Sequence, residues 1–324
     1  MKKVLLLAPR LDITFKRSSD SVHLPKKGPI TIPIRQHWEK FIECVEKEYE
    51  SRFDVEFIKE EMALWQFNQS IIDKHKPDIV FVPHKESHNF PVKNSQPYYY
   101  MQTTFPWVFS VDPKGWAGGA SVYPYTSILN QNFDNSIFDK FRKLGESNIS
   151  KFDQPKYRDI ELPEKFVLFA CQIPYDETIK YHSSIDVGKA LVYTARTCEK
   201  LGLTLVVKGH PVNPDSMIGL KDSVKNLNHV IWIDNISIHQ LLEKCCCVVV
   251  VNSGVGMEAL LHRRPVVTFG RAEYDCVTNH ADKNNIESVL INLDYNETKV
   301  IQFFHSWYHW CYDTSDLVTF KKLP

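Results

Sequence analysis

Short, almost unbroken apolar runs recur along this chain, each bounded by charged or turn-forming residues. Val4 to Ala8, Ile79 to Val82, Phe166 to Ala170, Leu203 to Val207 and Cys245 to Val251 have this form. A strand that is apolar on both faces must be covered on both faces, which is the situation of a parallel sheet layered with helices. Between the runs lie segments of helical spacing, at residues 37–49, 64–74, 184–201, 237–243 and 256–261. Strand and helix therefore alternate, which predicts a doubly wound α/β fold. The alternation starts twice. Strands near 4–8, 53–58 and 78–82, with further ones near 98–101 and 108–111, make one unit. Strands near 166–170, 203–207, 230–233, 245–251 and 265–269 make another. A length of 324 residues agrees with two domains. The polar stretch from Ile149 to Lys165, bracketed by Pro155 and Pro163, is read as the boundary region. The expected division is 1–160, 161–299 and a helical tail 300–324 that packs back on the first domain. The tail aromatics Phe303, Phe304, Trp307, Tyr308, Trp310 and Tyr312 are expected to serve helix packing.

Charge narrows the partners. Lys plus Arg and Asp plus Glu number 39 each, for a net charge of +0. Nucleic-acid binding draws on a basic excess that this chain lacks globally, so an anionic ligand has to be met by a local pocket. Lys26-Lys27 is a local basic pair that remains open. The eight cysteines fit neither a zinc ribbon nor a disulfide framework, and three of them adjoin an apolar run as small buried hydrophobes would. A reducing compartment is expected. The apolar run after Met1 stops at Pro9-Arg10, too short for a signal peptide, and no run approaches a membrane span.

Four polar clusters follow strands of the second unit, at the carboxyl ends where open α/β sheets bind ligands. Gln172-Ile-Pro-Tyr-Asp176 places an amide and a carboxylate after the first strand. Asp176 reads as a nucleophile or base, or, more commonly for an aspartate there, as a turn and helix cap. Lys208-Gly-His210-Pro211 holds a lysine and a histidine at the next edge, where either suits a leaving phosphate. Asn252-Ser253-Gly254-Val-Gly-Met-Glu258 is a glycine-containing turn opening a helix, with a hydroxyl at Ser253 and a carboxylate at Glu258 suited to ribose hydroxyls. It is neither GxGxxG nor GxxxxGK[ST]. Gly270-Arg271-Ala-Glu-Tyr-Asp275 closes the set, with Arg271 balanced between cleft and surface. In the first unit, His84, Glu86 and His88 follow a strand. They match no zinc motif, so no metal is expected, and they read as acceptor-side or general-base candidates. The first strand is followed by Pro9-Arg10-Leu11-Asp12 rather than a glycine turn, which argues against a Rossmann oxidoreductase.

In this order and spacing the four clusters resemble the capsule polysaccharide biosynthesis and export family, in particular the bacterial retaining β-Kdo glycosyltransferases of capsule linker synthesis. The resemblance is strongest from about residue 160 to 280. It implies GT-B architecture, two Rossmann-like domains facing across a cleft, the first receiving the acceptor and the second the nucleotide sugar. It implies a metal-independent transferase without cofactor that moves a sugar, on the family pattern Kdo from CMP-Kdo with retention, to a glycan or glycolipid. On that pattern Asp176 and His210 are catalytic, and Gln172, Lys208, Ser253, Gly254, Glu258 and Arg271 line the donor site. His84, Glu86 and His88 remain acceptor-side candidates. A cytoplasmic protein, peripheral at the inner face of the inner membrane, is implied with it. Another nucleotide sugar, a non-catalytic capsule assembly or export factor, and an epimerase of the same shape stay open as alternatives.

Overall fold

A computed structural model describes residues 1–10, 32–211 and 214–324. Lys26, Lys27, Leu11 and Asp12 lie outside the described residues. By internal contacts the chain divides into two units. Among the described residues the first comprises 1–10, 32–123 and 307–324, and the second comprises 124–211 and 214–306.

The first unit runs β1 (Lys2–Pro9), α1 (Ile32–Glu50), β2 (Val55–Met62), α2 (Gln69–His75), β3 (Ile79–Pro83), β4 (Gln96–Gln102) and β5 (Val108–Asp112). The second runs α3 (Ser136–Glu146), β6 (Phe166–Ala170), α4 (Glu177–His182), α5 (Val187–Leu201), β7 (Thr204–Lys208), α6 (Ile218–Val224), β8 (Val230–Ile233), α7 (Ile238–Leu242), β9 (Cys247–Val250), α8 (Val255–Leu261), β10 (Val266–Thr268), β11 (Asn279–His280), α9 (Ile286–Ile291) and α10 (Glu297–His309). The chain then adds β12 (Cys311–Asp313), antiparallel to β5, to the sheet it began with.

The apolar runs are the sheet centres, as the alternation predicts. Val4 to Ala8 and Ile79 to Val82 are buried in β1 and β3, and all of β6 is buried. The first sheet has order β12-β5-β4-β3-β1-β2, parallel from β2 to β4 with two antiparallel strands at one edge. The second has order β11-β10-β9-β6-β7-β8 and is parallel throughout. Renumbered within its own unit that order is 3-2-1-4-5-6 from the β8 edge, the doubly wound arrangement whose winding reverses between its first and fourth strands. Here those strands are β6 and β9. The two Rossmann-like units give the α/β fold class that the sequence implied.

Several boundaries differ from the expected ones for local reasons. The strand after the cysteines begins at Cys247, because Cys245 caps the turn leaving α7, its N–H bonded to Leu241 O, while Cys246 is exposed. The polar stretch from Ile149 to Lys165 lies inside the second unit, as an irregular strap between α3 and β6. In the tail, Phe303 and Phe304 are buried in the second unit, where Phe304 meets Phe138 edge-on at 5.9 Å. Trp307 is buried in the first, against Phe105 at 5.8 Å, and Trp310 is exposed. No helix among the described residues is long and apolar enough to cross a membrane.

Phe169 at the centre of β6 is fully buried among Val207, Val249 and their neighbours. Truncating it to alanine is expected to destabilise the second unit by about 3–5 kcal/mol. A lower urea midpoint at unchanged slope is the measurement that checks this.

Candidate functional site

The carboxyl ends of β6 and β9, where the winding reverses, are tied by two amides. Gln172 Nε2 donates to Asn252 Oδ1 at 2.9 Å, and Gln172 Oε1 accepts from Asn252 N at 2.9 Å. Asn252 Nδ2 donates in turn to Thr178 O at 3.0 Å, which fixes α4 to the same point. Both amide side chains are buried. Gln172 is thus a brace between strand ends, with its own donor and acceptor engaged.

Asp176 sits where α4 begins and is its N-cap. Its Oδ1 accepts from Thr178 N at 2.9 Å and from the Thr178 hydroxyl. The capping reading of this aspartate is therefore real, and it is compatible with a reactive one, since both bonds fall on one carboxylate oxygen, Oδ1.

His210 follows β7. Burial pushes its imidazole down to about 4, the Asp176 carboxylate acting against that and the Lys208 and Lys151 ammonium groups with it. It is neutral at physiological pH and so offers a hydrogen bond rather than a charge. Phe152 meets its ring edge-on at 5.3 Å. Lys208 is buried with Nζ on Gly209 O at 2.9 Å, and burial lowers its ammonium while Asp234 supports it. A Cβ at Gly209 would land against a carboxylate oxygen of Asp234, which accepts from Trp232 Nε1 at 2.6 Å, so Asp234 would have to shift.

The turn into α8 is closed on itself. Ser253 Oγ accepts from Val255 N at 3.3 Å, Ser253 O from Gly256 N at 2.9 Å, and Gly254 O from Met257 N at 2.9 Å and Glu258 N at 3.3 Å. The N–H groups of the first turn are thereby satisfied locally. The Tyr274 hydroxyl also donates to Ser253 O. Its buried ring leaves no room for a Cβ on Gly256, so the third and fourth clusters of the sequence interlock. Arg271 is exposed; its backbone N bonds His182 O at 2.7 Å and its guanidinium donates to Tyr181 O at 2.9 Å, at the end of α4.

Glu258 faces inward. It accepts from the Ser150 hydroxyl, and His239 Nε2 lies 3.9 Å away. His239 Nδ1 is 3.1 Å from His262 Nε2, and its Nε2 lies 3.2 Å from both Ser150 Oγ and Ile149 O. Burial pushes both histidines down to about 4 and the Glu258 carboxyl up to about 7, the Ser150 hydroxyl opposing the latter. Ser150, His239 and His262 were not legible as a group, because they come from a strap and two helices with no shared motif.

In the first unit, His84, Glu86 and His88 diverge. His84 has φ +55° and stacks on Trp38 at 4.8 Å. Glu86 is buried beneath the loop from Gly115 to Gly119, where a Cβ at either glycine would strike its carboxylate arm. His88 is exposed and reaches Glu86 at 3.1 Å. Asp112 holds the same loop, its Oδ1 accepting from Lys114, Gly115 and Ser121 N at 2.7, 3.1 and 2.8 Å. No group of histidine, cysteine or carboxylate side chains among the described residues is arranged to hold a metal.

Two outcomes test this geometry. Gly256→Ala is expected to destabilise the fold by about 1–3 kcal/mol through its clash with Tyr274, and to do so less in a Tyr274→Leu background, as a double-mutant cycle reads directly. A carboxyl that titrates higher when folded favours folding while protonated, and Glu258 loses that advantage as pH rises from about 4.5 to about 7. The melting temperature of Glu258→Gln relative to wild type should therefore climb across that window and level off above it, by the equivalent of up to about 3 kcal/mol.

Comparison with known proteins bears on the second unit first. The family described as "Capsule polysaccharide biosynthesis protein" matches residues 135–292. The "Capsule polysaccharide export protein KpsS" of Escherichia coli is 26% identical over 127 residues, 36% of this chain. The match spans only about a third, 32%, of that relative's length. Among solved structures, the chain from Thermosulfurimonas dismutans KpsC described as a beta Kdo 2,7 transferase superposes with TM-score 0.53 at 17% identity, covering 94% of this chain and 90% of that one. The beta Kdo 2,4 transferase of the same protein gives 0.52 at 16%, covering 84% and 85%. At such identities the structures speak to the fold, which is the one described above. Over residues 135–292, therefore, this chain is similar to the capsule polysaccharide biosynthesis family.

Proposed function

We propose that this protein is a glycosyltransferase of surface polysaccharide synthesis, binding a nucleotide sugar on its second unit and passing the sugar to a glycan or glycolipid acceptor. The observation that carries this reading is the convergence of Gln172, Asp176, His210 and the Asn252–Glu258 turn on the carboxyl edge of a 3-2-1-4-5-6 sheet, on both sides of its switch point. A fold that needed only to pack has no use for a capped aspartate electrostatically coupled to a half-buried histidine at that edge.

The finer assignment is Kdo from CMP-Kdo with retention. Asp176 attacks the anomeric carbon through the carboxylate oxygen turned away from α4, and the nucleotide phosphate leaves. The acceptor hydroxyl then displaces the carboxylate, giving up its proton to a general base as the new glycosidic bond forms. His210, neutral, donates a hydrogen bond to the departing phosphate, and Ser253 and Lys208 support that edge. Glu258 serves the ribose side through the buried network it forms with Ser150 and His239. Arg271 holds the end of α4 and lines the donor side. His84, Glu86 and His88, with the loop that Glu86 supports, serve the acceptor. The protein works in the cytoplasm, peripherally at the inner face of the inner membrane, where a lipid-linked acceptor is presented.

The first experiment is calorimetry of CMP, CDP, UDP, GDP and ADP with the purified protein in the absence of added metal. Selective binding of CMP is expected; selective binding of a diphosphate keeps the transferase and replaces the donor; binding of none removes the reading. Asp176→Asn keeps a cap of equal quality while removing the nucleophile. It should leave nucleotide affinity within about twofold and lower transfer by several orders of magnitude. Transfer at the wild-type rate would show that Asp176 is a cap alone.

A further inference from the structure

Loss of a nucleotide phosphate without a metal calls for a cation, and neither basic residue of the Lys208-Gly209-His210 cluster supplies one freely. His210 is neutral and Lys208 is turned onto Gly209 O. A third basic group reaches the same edge from an unexpected place. The strap between α3 and β6 is laced along α7: Gln240 accepts from Arg158 N at 3.1 Å and donates back to Arg158 O, Gln154 Oε1 accepts from Ile238 N at 2.9 Å, Ser237 donates to Asn148 Oδ1 at 2.5 Å, and Tyr157 donates to Glu243 at 2.8 Å. Within it, Ser150 is bound to Glu258 and His239, and Phe152 rests edge-on against His210. Lys151 stands between these two anchored neighbours. Its charge is felt by His210, and Asp176 and Glu273 are the carboxylates that act on it. It forms no hydrogen bond or ion pair with any described residue.

We propose that Lys151 is the phosphate-binding cation of this site, carried to the carboxyl edge of the second sheet by the strap and held there for the anionic phosphate of the bound nucleotide. This rests on the donor-binding reading above. The physical argument concerns what else the lysine could be for. A half-buried ammonium that serves the fold closes onto a carboxylate, because an uncompensated charge away from water is costly. Lys151 approaches two carboxylates and contacts neither. Burial lowers its ammonium and those carboxylates oppose that shift, while the hydrogen-bond shell of Nζ stays open to a ligand. A phosphate oxygen fills that shell with charge-assisted bonds.

The test compares CMP with cytidine, or whichever nucleotide the panel selects with its own nucleoside, on wild type, Lys151→Met and Lys151→Arg. Lys151→Met is expected to weaken CMP binding at least about tenfold while leaving cytidine unchanged, and Lys151→Arg to recover most of the loss. Removing an unpaired charge should also leave the melting temperature of Lys151→Met equal to or above that of wild type. Wild-type affinity for CMP in Lys151→Met overturns the proposal and leaves the donor reading intact. Equal losses for CMP and cytidine, or a fall in melting temperature, make Lys151 a structural residue and overturn it as well. A wild-type protein that binds no nucleotide removes the donor reading and this proposal together.

Discussion

The arrangement of the second unit depends on one reciprocal amide pair, Gln172 with Asn252. A parallel sheet whose winding reverses between β6 and β9 leaves a notch at their carboxyl ends, and the backbone there has lost its ladder partners. Gln172 Oε1 supplies Asn252 N with an acceptor, the two side chains bond each other, and Asn252 Nδ2 reaches Thr178 O. The direction of α4 follows from that contact, and with it the position of Asp176. Gly270, packed against Asn252 Nδ2 and the Ser183 Cβ, brings the loop after β10 to the same point. Removing either amide would strand the buried polar atoms of its partner, which is dearer than losing a bond at the surface.

Much of the fold was legible because parallel strands covered on both faces have a plain signature. Residues 166–170 and 230–233 coincide with β6 and β8, and the strands expected at 98–101 and 108–111 fall within one or two residues of β4 and β5. What escaped was set by distant partners. β12 is three residues whose strand character comes from pairing with β5, about 200 residues earlier in the chain. α3 carries Phe138 and Phe141 into the second unit, and its amphipathic spacing was hidden between polar segments.

The site divides the same way. Its four clusters were visible because each follows a strand, and residue chemistry at strand ends is informative. The reach of each side chain was not visible. Gln172 and Glu258 look alike on paper as donor-facing polar groups, yet one braces strands and the other enters a buried network with Ser150, His239 and His262. Lys151 lay in a stretch whose proline and charge content marks a linker, and only the lacing of that stretch to α7 turns it toward the sheet. A linker and a strap have the same composition; tertiary hydrogen bonds separate them.

The first sheet takes its last strand from the far end of the chain, after the whole of the second unit has been made. During synthesis, β5 therefore emerges long before β12, and residues 113–310 must be added in between, on the order of ten seconds or longer at ordinary elongation rates. For that interval β5 is an open edge, ready to pair with any extended segment nearby. The second unit, whose described residues lie between 124 and 306, is able to collapse while the first waits. Completion of the first unit thus waits on synthesis of β12, and the unpaired β5 is the place where a crowded or slowed synthesis would first go wrong.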